Sequence, residues 1–127
     1  MTEGLEAITT SALGMALDAA SLRQQAIAAN IANHATEGYV AQKVDFESQM
    51  ADARRTLESK GTIDAFSLSS VKLEMTAVFD STGAPVKVQL DEQMADMAQN
   101  AVQYQALTRA LSRHFSLLSM AASDGKR

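Results

Sequence analysis

The 127-residue chain is 46% hydrophobic, 20% charged and only 5% aromatic, with no tryptophan, which fits one modest domain packed through Ala, Leu, Met, Val and Ile rather than an aromatic-rich β-sandwich. Its formal charge is -4 and its 11 basic residues are scattered, so the concentrated cationic face needed for nucleic-acid binding is missing. It has no cysteine, which excludes disulfides and thiolate metal sites, and no apolar run of about eighteen residues, so direct membrane insertion is not expected.

The start, Met1-Thr2-Glu3-Gly4-Leu5-Glu6, is acidic where a secretory signal would be basic, and Thr9, Thr10, Ser11 and Gly14 break up the apolar residues behind it. On its own that pattern reads as cytoplasmic. Leu5, Ile8, Ala12, Met15, Ala19, Leu22, Ala26 and Ala29 then recur at alternating steps of three and four, the seam of a coiled coil. A helix over this stretch would be roughly forty Å long at 1.5 Å per residue. Leu13, Leu17, Ile27 and Ile31 form a second stripe on another face, and a helix apolar on two sides needs two neighbours.

The helix should end near Asn33, with Thr36-Glu37-Gly38 as a tight reversal in which Gly38 takes a positive φ at low steric cost. Asn30 and Asn33, one turn apart, are placed to bond backbone carbonyls or a neighbouring chain. Tyr39 begins an extended stretch with Val40, Val44 and Phe46 on one side. Residues 51–70 read as a short polar helix or loop from Ala51 to Ser59, a break at Lys60-Gly61 and an apolar stretch near Phe66.

Beyond residue 70 the period becomes two. Val71, Leu73, Met75, Ala77 and Phe79 alternate with polar neighbours, as do Val86, Val88 and Leu90, across the turn-forming Asp80-Ser81-Thr82-Gly83-Ala84-Pro85. This predicts a small β-hairpin. A second heptad seam comes next in Met94, Met97, Ala101, Tyr104, Thr108, Leu111, Phe115, Leu118 and Ala122. Val102, Ala106, Leu107, Ala110, Leu117 and Ala121 widen its apolar surface. Asp91 is the expected N-cap, with Asp91, Glu92 and Asp96 near the positive end of the dipole and Arg109, Arg113 and His114 toward the negative end.

The expected fold is therefore mainly α: long N- and C-terminal helices forming a coiled-coil pair, with a small β-hairpin insert between them. The divisions are 1–35 for the first helix, 36–90 for the loop and insert, 91–122 for the last helix and 123–127 for a tail. Two helices alone leave their secondary stripes exposed, which favours obligate assembly over a monomer. Leu13, Leu17, Leu22, Ile27, Ile31, Met97, Tyr104, Leu107, Leu111, Phe115 and Leu118 are the expected subunit-interface residues.

No catalytic constellation is legible, and the reading is of a protein that is not an enzyme. His34 and His114 lack metal-ligand spacing, Ser112 and His114 point in different directions on a helix, and the glycines form no phosphate loop. No metal or other cofactor is expected. Met15, Met94 and Met97 fall on the seams and read as core filler. Arg109 and Arg113, one turn apart, are either a solvated face or partners for a neighbour's carboxylates.

The run Asn30-Ile31-Ala32-Asn33, followed by Thr36, Gly38 and Tyr39, resembles the N-terminal signature of the flagellar rod, hook and hook-associated axial proteins. The stretch from Val88 to Ala101 and that from Tyr104 to Leu118 look like the last helix of one proximal-rod branch of that family, with the related rod protein FlgC as the alternative. The resemblance covers residues 5–50 and 84–122, and the insert is short for the family. It implies a structural subunit whose terminal helices polymerise into the tube that transmits torque and encloses an export channel. It further implies as partners copies of the chain itself, the rod proteins FlgC and FlgF, the adaptor FliE with the MS ring, and the flagellar type III export apparatus. The implied location is the rod within the periplasm, reached without a cleaved signal peptide. Phe46-Glu47-Ser48-Gln49-Met50 resembles the motif by which early export substrates engage the export gate, although Phe46 and Met50 also suit simple packing on a helical turn. A reading from another class is a helical export adaptor or chaperone that does not polymerise.

Overall fold

The structure, a computed structural model, describes residues 2–63 and 65–125. It is mainly helical. Helix α1 spans Thr2–Ala32, strand β1 Gln42–Val44, α2 Phe46–Gln49, α3 Ala51–Lys60, α4 Ala65–Ser69, β2 Met75–Ala77 and α5 Leu90–Asp124. Within the expected segments, Met1 and the tail's Lys126 and Arg127 lie outside the described residues, as does the side chain of the seam position Leu5.

The long helices pack antiparallel. Cross-helix hydrogen bonds fix the direction: Thr10 meets His114, Ala20 and Gln24 meet Asn100, and Asn30 meets Gln93. Half of α1 is also covered on a second side. Ala19 and Ala26 are buried, Arg23 donates to the Val44 carbonyl at 3.3 Å, and Asn30 donates to the Gln42 carbonyl at 2.8 Å. The two apolar faces of α1 thus find two neighbours within the chain, α5 and the insert, with buried Val44, Ala53 and Leu68 completing the core.

The small sheet lies between the helices, and its pairing departs from the expected hairpin. β1 pairs antiparallel with β2, Gln42 opposite Ala77 and Val44 opposite Met75. The chain does reverse at 80–85, where Phe79 bridges Pro85, yet Val71, Leu73 and Val88 are not in strands and Leu90 opens α5. Proline has no N–H to extend such a ladder. Just past it, Val86 donates to the Val78 carbonyl at 3.0 Å while its own carbonyl accepts from Ala41 at 3.1 Å. The segment is thereby shared with the chain before β1 instead of running on as a two-stranded arm.

Asp80 organises this reversal. Its Oδ1 accepts from the Thr82 hydroxyl at 2.6 Å, the Thr82 amide at 2.8 Å and the Ala84 amide at 3.0 Å, and Gly83 takes φ 82. The Thr82 hydroxyl first, and then the Ala84 and Thr82 amides, hold the Asp80 carboxyl below its ordinary value of 3.8. A depressed folded pKa stabilises the turn above the unfolded value, and that contribution is lost as pH falls through the folded one. Titration followed by NMR should therefore show the Thr82 and Ala84 amides shifting together with a midpoint below 3.8, and Asp80→Asn should abolish the step.

Helix α5 begins one residue before the expected cap. Gln89 is the N-cap, in extended conformation with no side-chain cap bond, and Asp91 and Glu92 lie inside the first turn. Asp91 therefore acts through the dipole alone. The far end runs to Asp124, leaving Gly125 as the described residue beyond it.

Candidate functional site

Two features carry chemistry that a bare helical pair does not need: the turn after α1, and the faces that α5 leaves open.

The turn is one connected network. Asn33 Nδ2 donates to the Ala29 carbonyl at 2.8 Å, closing the end of α1, and its Oδ1 accepts from the Thr36 hydroxyl at 3.2 Å. The Tyr39 amide donates to the Thr36 carbonyl at 3.2 Å across a four-residue turn whose third member, Gly38, has φ 78. Nothing lies within 4 Å of a Cβ built on Gly38, so the glycine is required by backbone conformation alone. Gly38→Ala should cost about 1 kcal/mol, measured by urea unfolding, with the slope unchanged.

Tyr39 then returns to the helix, its hydroxyl donating to Asn30 Oδ1 at 3.0 Å. Asn30 is 1% exposed and holds three elements at once. Its Oδ1 also accepts from the Gln42 amide at 2.9 Å, and its Nδ2 donates to the Gln42 carbonyl at 2.8 Å and to Gln93 Oε1 at 2.9 Å. The side chain mimics a strand partner for Gln42 while tying α1 to α5. Within the same signature, Ile31 is half-buried and Ala32 exposed. His34 is exposed, and its Nδ1 lies 2.8 Å from the Ile31 carbonyl, so that nitrogen carries the proton.

The seam between the helices is rotated from the expected one. On α5 the positions turned toward α1 are Gln93, Met97, Asn100, Leu107, Leu111, His114 and Leu118, all buried or half-buried. Met94, Ala101, Thr108 and Phe115, expected on the seam, are exposed, Met94 by 54% and Phe115 by 49%. Met94 is accordingly not core filler. The reason is polar pairing: Asn100 is 4% exposed and donates to the Ala20 carbonyl and to Gln24 Oε1, both at 2.9 Å, leaving its Oδ1 without a partner. His114 Nε2 sits 3.2 Å from the Thr10 hydroxyl, which gives that histidine a structural partner. Bonds of this kind fix a register at some cost in apolar burial.

Of the residues expected between subunits, Ile27 is 5% exposed and sealed inside its own chain, which corrects that assignment. Leu13, Leu17, Leu22, Ile31, Met97, Leu107, Leu111 and Leu118 are half-buried, while Tyr104 and Phe115 are open. The exposed apolar surface of α5 forms two edges flanking the α1 seam. One runs through Met94, Ala101, Thr108, Phe115 and Ala122 at strict seven-residue spacing, and the other carries Val102, Ala106, Leu117 and Met120. Phe46 and Met50 are half-buried around α2, the Met50 amide donating to the Phe46 carbonyl at 2.9 Å.

Beside the second edge lies an open groove of about 930 Å³ between α5, α1 and the sheet. Ala26, Val44, Val86 and Val88 line its apolar part, with Glu92 and Asp96 on the α5 lip and Lys43 and Lys87 on the sheet lip. No group of three or more His, Cys, Asp or Glu residues able to hold a metal occurs among the described residues, and no helix there is long and apolar enough to cross a membrane.

Sequence reasoning missed Gln93, Asn100 and His114 as seam residues, and Arg23, which ion-pairs with Glu47 at 3.1 Å and braces α1 against α2. The signal was available. Gln93, Asn100, Leu107 and His114 also recur at seven-residue spacing, one position behind the more apolar set.

Comparison with known proteins agrees with the signature turn. Residues 12–39 match the family described as "Flagella basal body rod protein". Over 125 residues the chain is 31% identical to the flagellar basal body rod protein FlgB of Bacillus subtilis (strain 168), covering 93% of this chain and 95% of that protein. With its helical pair, its signature turn and its match to that relative over almost the whole length of both, the chain belongs to the flagellar basal body rod protein family and is a rod protein of the FlgB type.

Proposed function

We propose that the chain is a structural subunit of the proximal rod which polymerises through α1 and α5 into a tube, transmits motor torque and encloses the export channel. One observation carries this reading: α5 exposes two long apolar edges that its own chain leaves uncovered. At about 25 cal/mol per Å², a few hundred Å² of such surface per neighbour contributes many kcal/mol before entropy is counted. A non-polymerising adaptor has no need of two edges on opposite sides of one seam.

In this reading the chain performs no catalysis. Its partners are copies of itself, the rod proteins FlgC and FlgF, and FliE with the MS ring at the rod base. It leaves the cytoplasm through the flagellar type III apparatus without a cleaved signal and takes its place in the rod within the periplasm. A chain with no disulfide and a single proline suits passage in an unfolded state. Phe46 and Met50, half-buried once folded, would be read by the export gate before folding. Deleting the chain from its host should give basal bodies that stop below the rod and cells that do not swim. Rods of normal length in its absence would contradict the proposal.

A further inference from the structure

We infer that the groove bounded by Glu92 and Asp96 receives the arginine-bearing part of α5 from a second copy, so that subunits join head to tail along one helix face. The inference rests on the rod reading above and names the surface through which it would act.

Charge is segregated along α5. Asp91, Glu92 and Asp96 are the only charged residues of its start, and from Met97 to Ser123 the only formally charged residues are Arg109 and Arg113. Glu92, Asp96, Arg109 and Arg113 are exposed, and none makes an ion pair among the described residues. They cannot satisfy one another within a chain. Asp96 and Arg109 are about 20 Å apart along a helix rising 1.5 Å per residue, beyond a screening length of about 8 Å. A second copy removes that distance.

The groove beside the carboxylates is open and of mixed lining, its apolar floor flanked by charged lips with Arg23 already paired to Glu47. The segment that would enter it carries Ala110 and Leu117 beside the arginines, both exposed. Small residues allow close approach of helix axes, and Leu117 supplies the apolar contact. The sheet lip carries Lys43 and Lys87, which repel the arginines and orient the incoming helix toward the α5 lip. A reciprocal, antiparallel pairing of two α5 helices would close into a dimer. The proposed contact instead offsets each copy along the next, so that one groove takes the arginines of the following copy and its own arginines enter a third, which makes it heterologous. It propagates instead of closing into a dimer.

The absence of cysteine makes a direct test simple. Gln99→Cys on the groove wall and Ala110→Cys between the arginines are introduced together in the host's only copy. Within one helix these positions are about 16 Å apart, too far for a disulfide. Oxidation of intact cells should yield a ladder of dimers, trimers and higher species in isolated basal bodies. In parallel, E92K/D96K and R109E/R113E should each impair swimming severalfold, and the fourfold variant should recover most of it, with helicity checked by circular dichroism throughout. Swimming cells without a ladder, cross-links only to a different rod protein, or swaps that are harmless or do not rescue would overturn the inference and leave the rod reading standing. If the unsubstituted chain is absent from basal bodies, the rod reading itself fails.

Discussion

Replacing Asn30 by alanine should destabilise the chain by about 3 kcal/mol, lowering the melting temperature by roughly 10 °C for a domain of this size. The side chain makes four hydrogen bonds from a site with almost no solvent. Alanine satisfies none of them, and it strands both the amide and the carbonyl of Gln42 at the start of β1. Unmade buried bonds cost more than made ones contribute, because no water replaces the lost partner. Asn33 supplies the control. It belongs to the same signature, but it is half-buried and its bonds to Ala29 and Thr36 stay within the turn. Asn33→Ala should cost only about 1 kcal/mol. Asn30→Asp should fare no better than alanine, because it keeps the acceptor for Tyr39 but turns a carboxylate toward the Gln42 carbonyl and Gln93 Oε1. Equal losses for Asn30→Ala and Asn33→Ala in chemical denaturation would show that Asn30 is not the joint between α1, β1 and α5.

The largest functional effect is expected from Met94→Glu with Phe115→Glu. Both residues are about half exposed in the single chain, and glutamate is a good helix former, so the double change should cost folding only about 2 kcal/mol, the part of each side chain already buried. In the proposed assembly the same positions face a neighbour. Losing the exposed halves of these two side chains removes about 2 kcal/mol per contact, on the order of thirtyfold in affinity, before the cost of burying two carboxylates is added. Circular dichroism should therefore show a normally folded chain, while basal bodies from cells carrying it should lack the subunit. Retention in basal bodies at the wild-type level would mean that this edge of α5 faces solvent in the rod.

These two variants also separate what the sequence made legible from what it did not. The two long helices and the end of the first follow from apolar spacing and from Gly38, because one side chain per turn decides which face is buried. The signature turn is equally local: Asn33, Thr36 and Gly38 act within a few residues of one another. The partner of β2 is not local. Gln42–Val44 is three residues long and meets Met75–Ala77 across a gap holding three helices, and nothing in either segment names the other. On α5 the expected seam positions Met97, Leu111 and Leu118 do face α1, but Met94, Ala101, Thr108 and Phe115 are each replaced by the residue before them, for a different reason. Periodicity selects the most apolar stripe, whereas the folded chain selects the stripe whose polar members find partners, Gln93 with Asn30 and Asn100 with Ala20 and Gln24. The apolar stripe passed over in this way stays exposed on the single chain, and it is the surface the proposed assembly would use.

Thr108 sits on that stripe, exposed and polar, where a small substitution does little harm to folding. Thr108→Cys would be the single thiol of the chain, and its rate of reaction with a maleimide can be compared between purified protein and intact basal bodies. If copies and neighbouring rod proteins cover the exposed edge of α5, the thiol reacts freely in the purified chain and is strongly protected in the rod. Equal rates in the two states would contradict assembly through this edge.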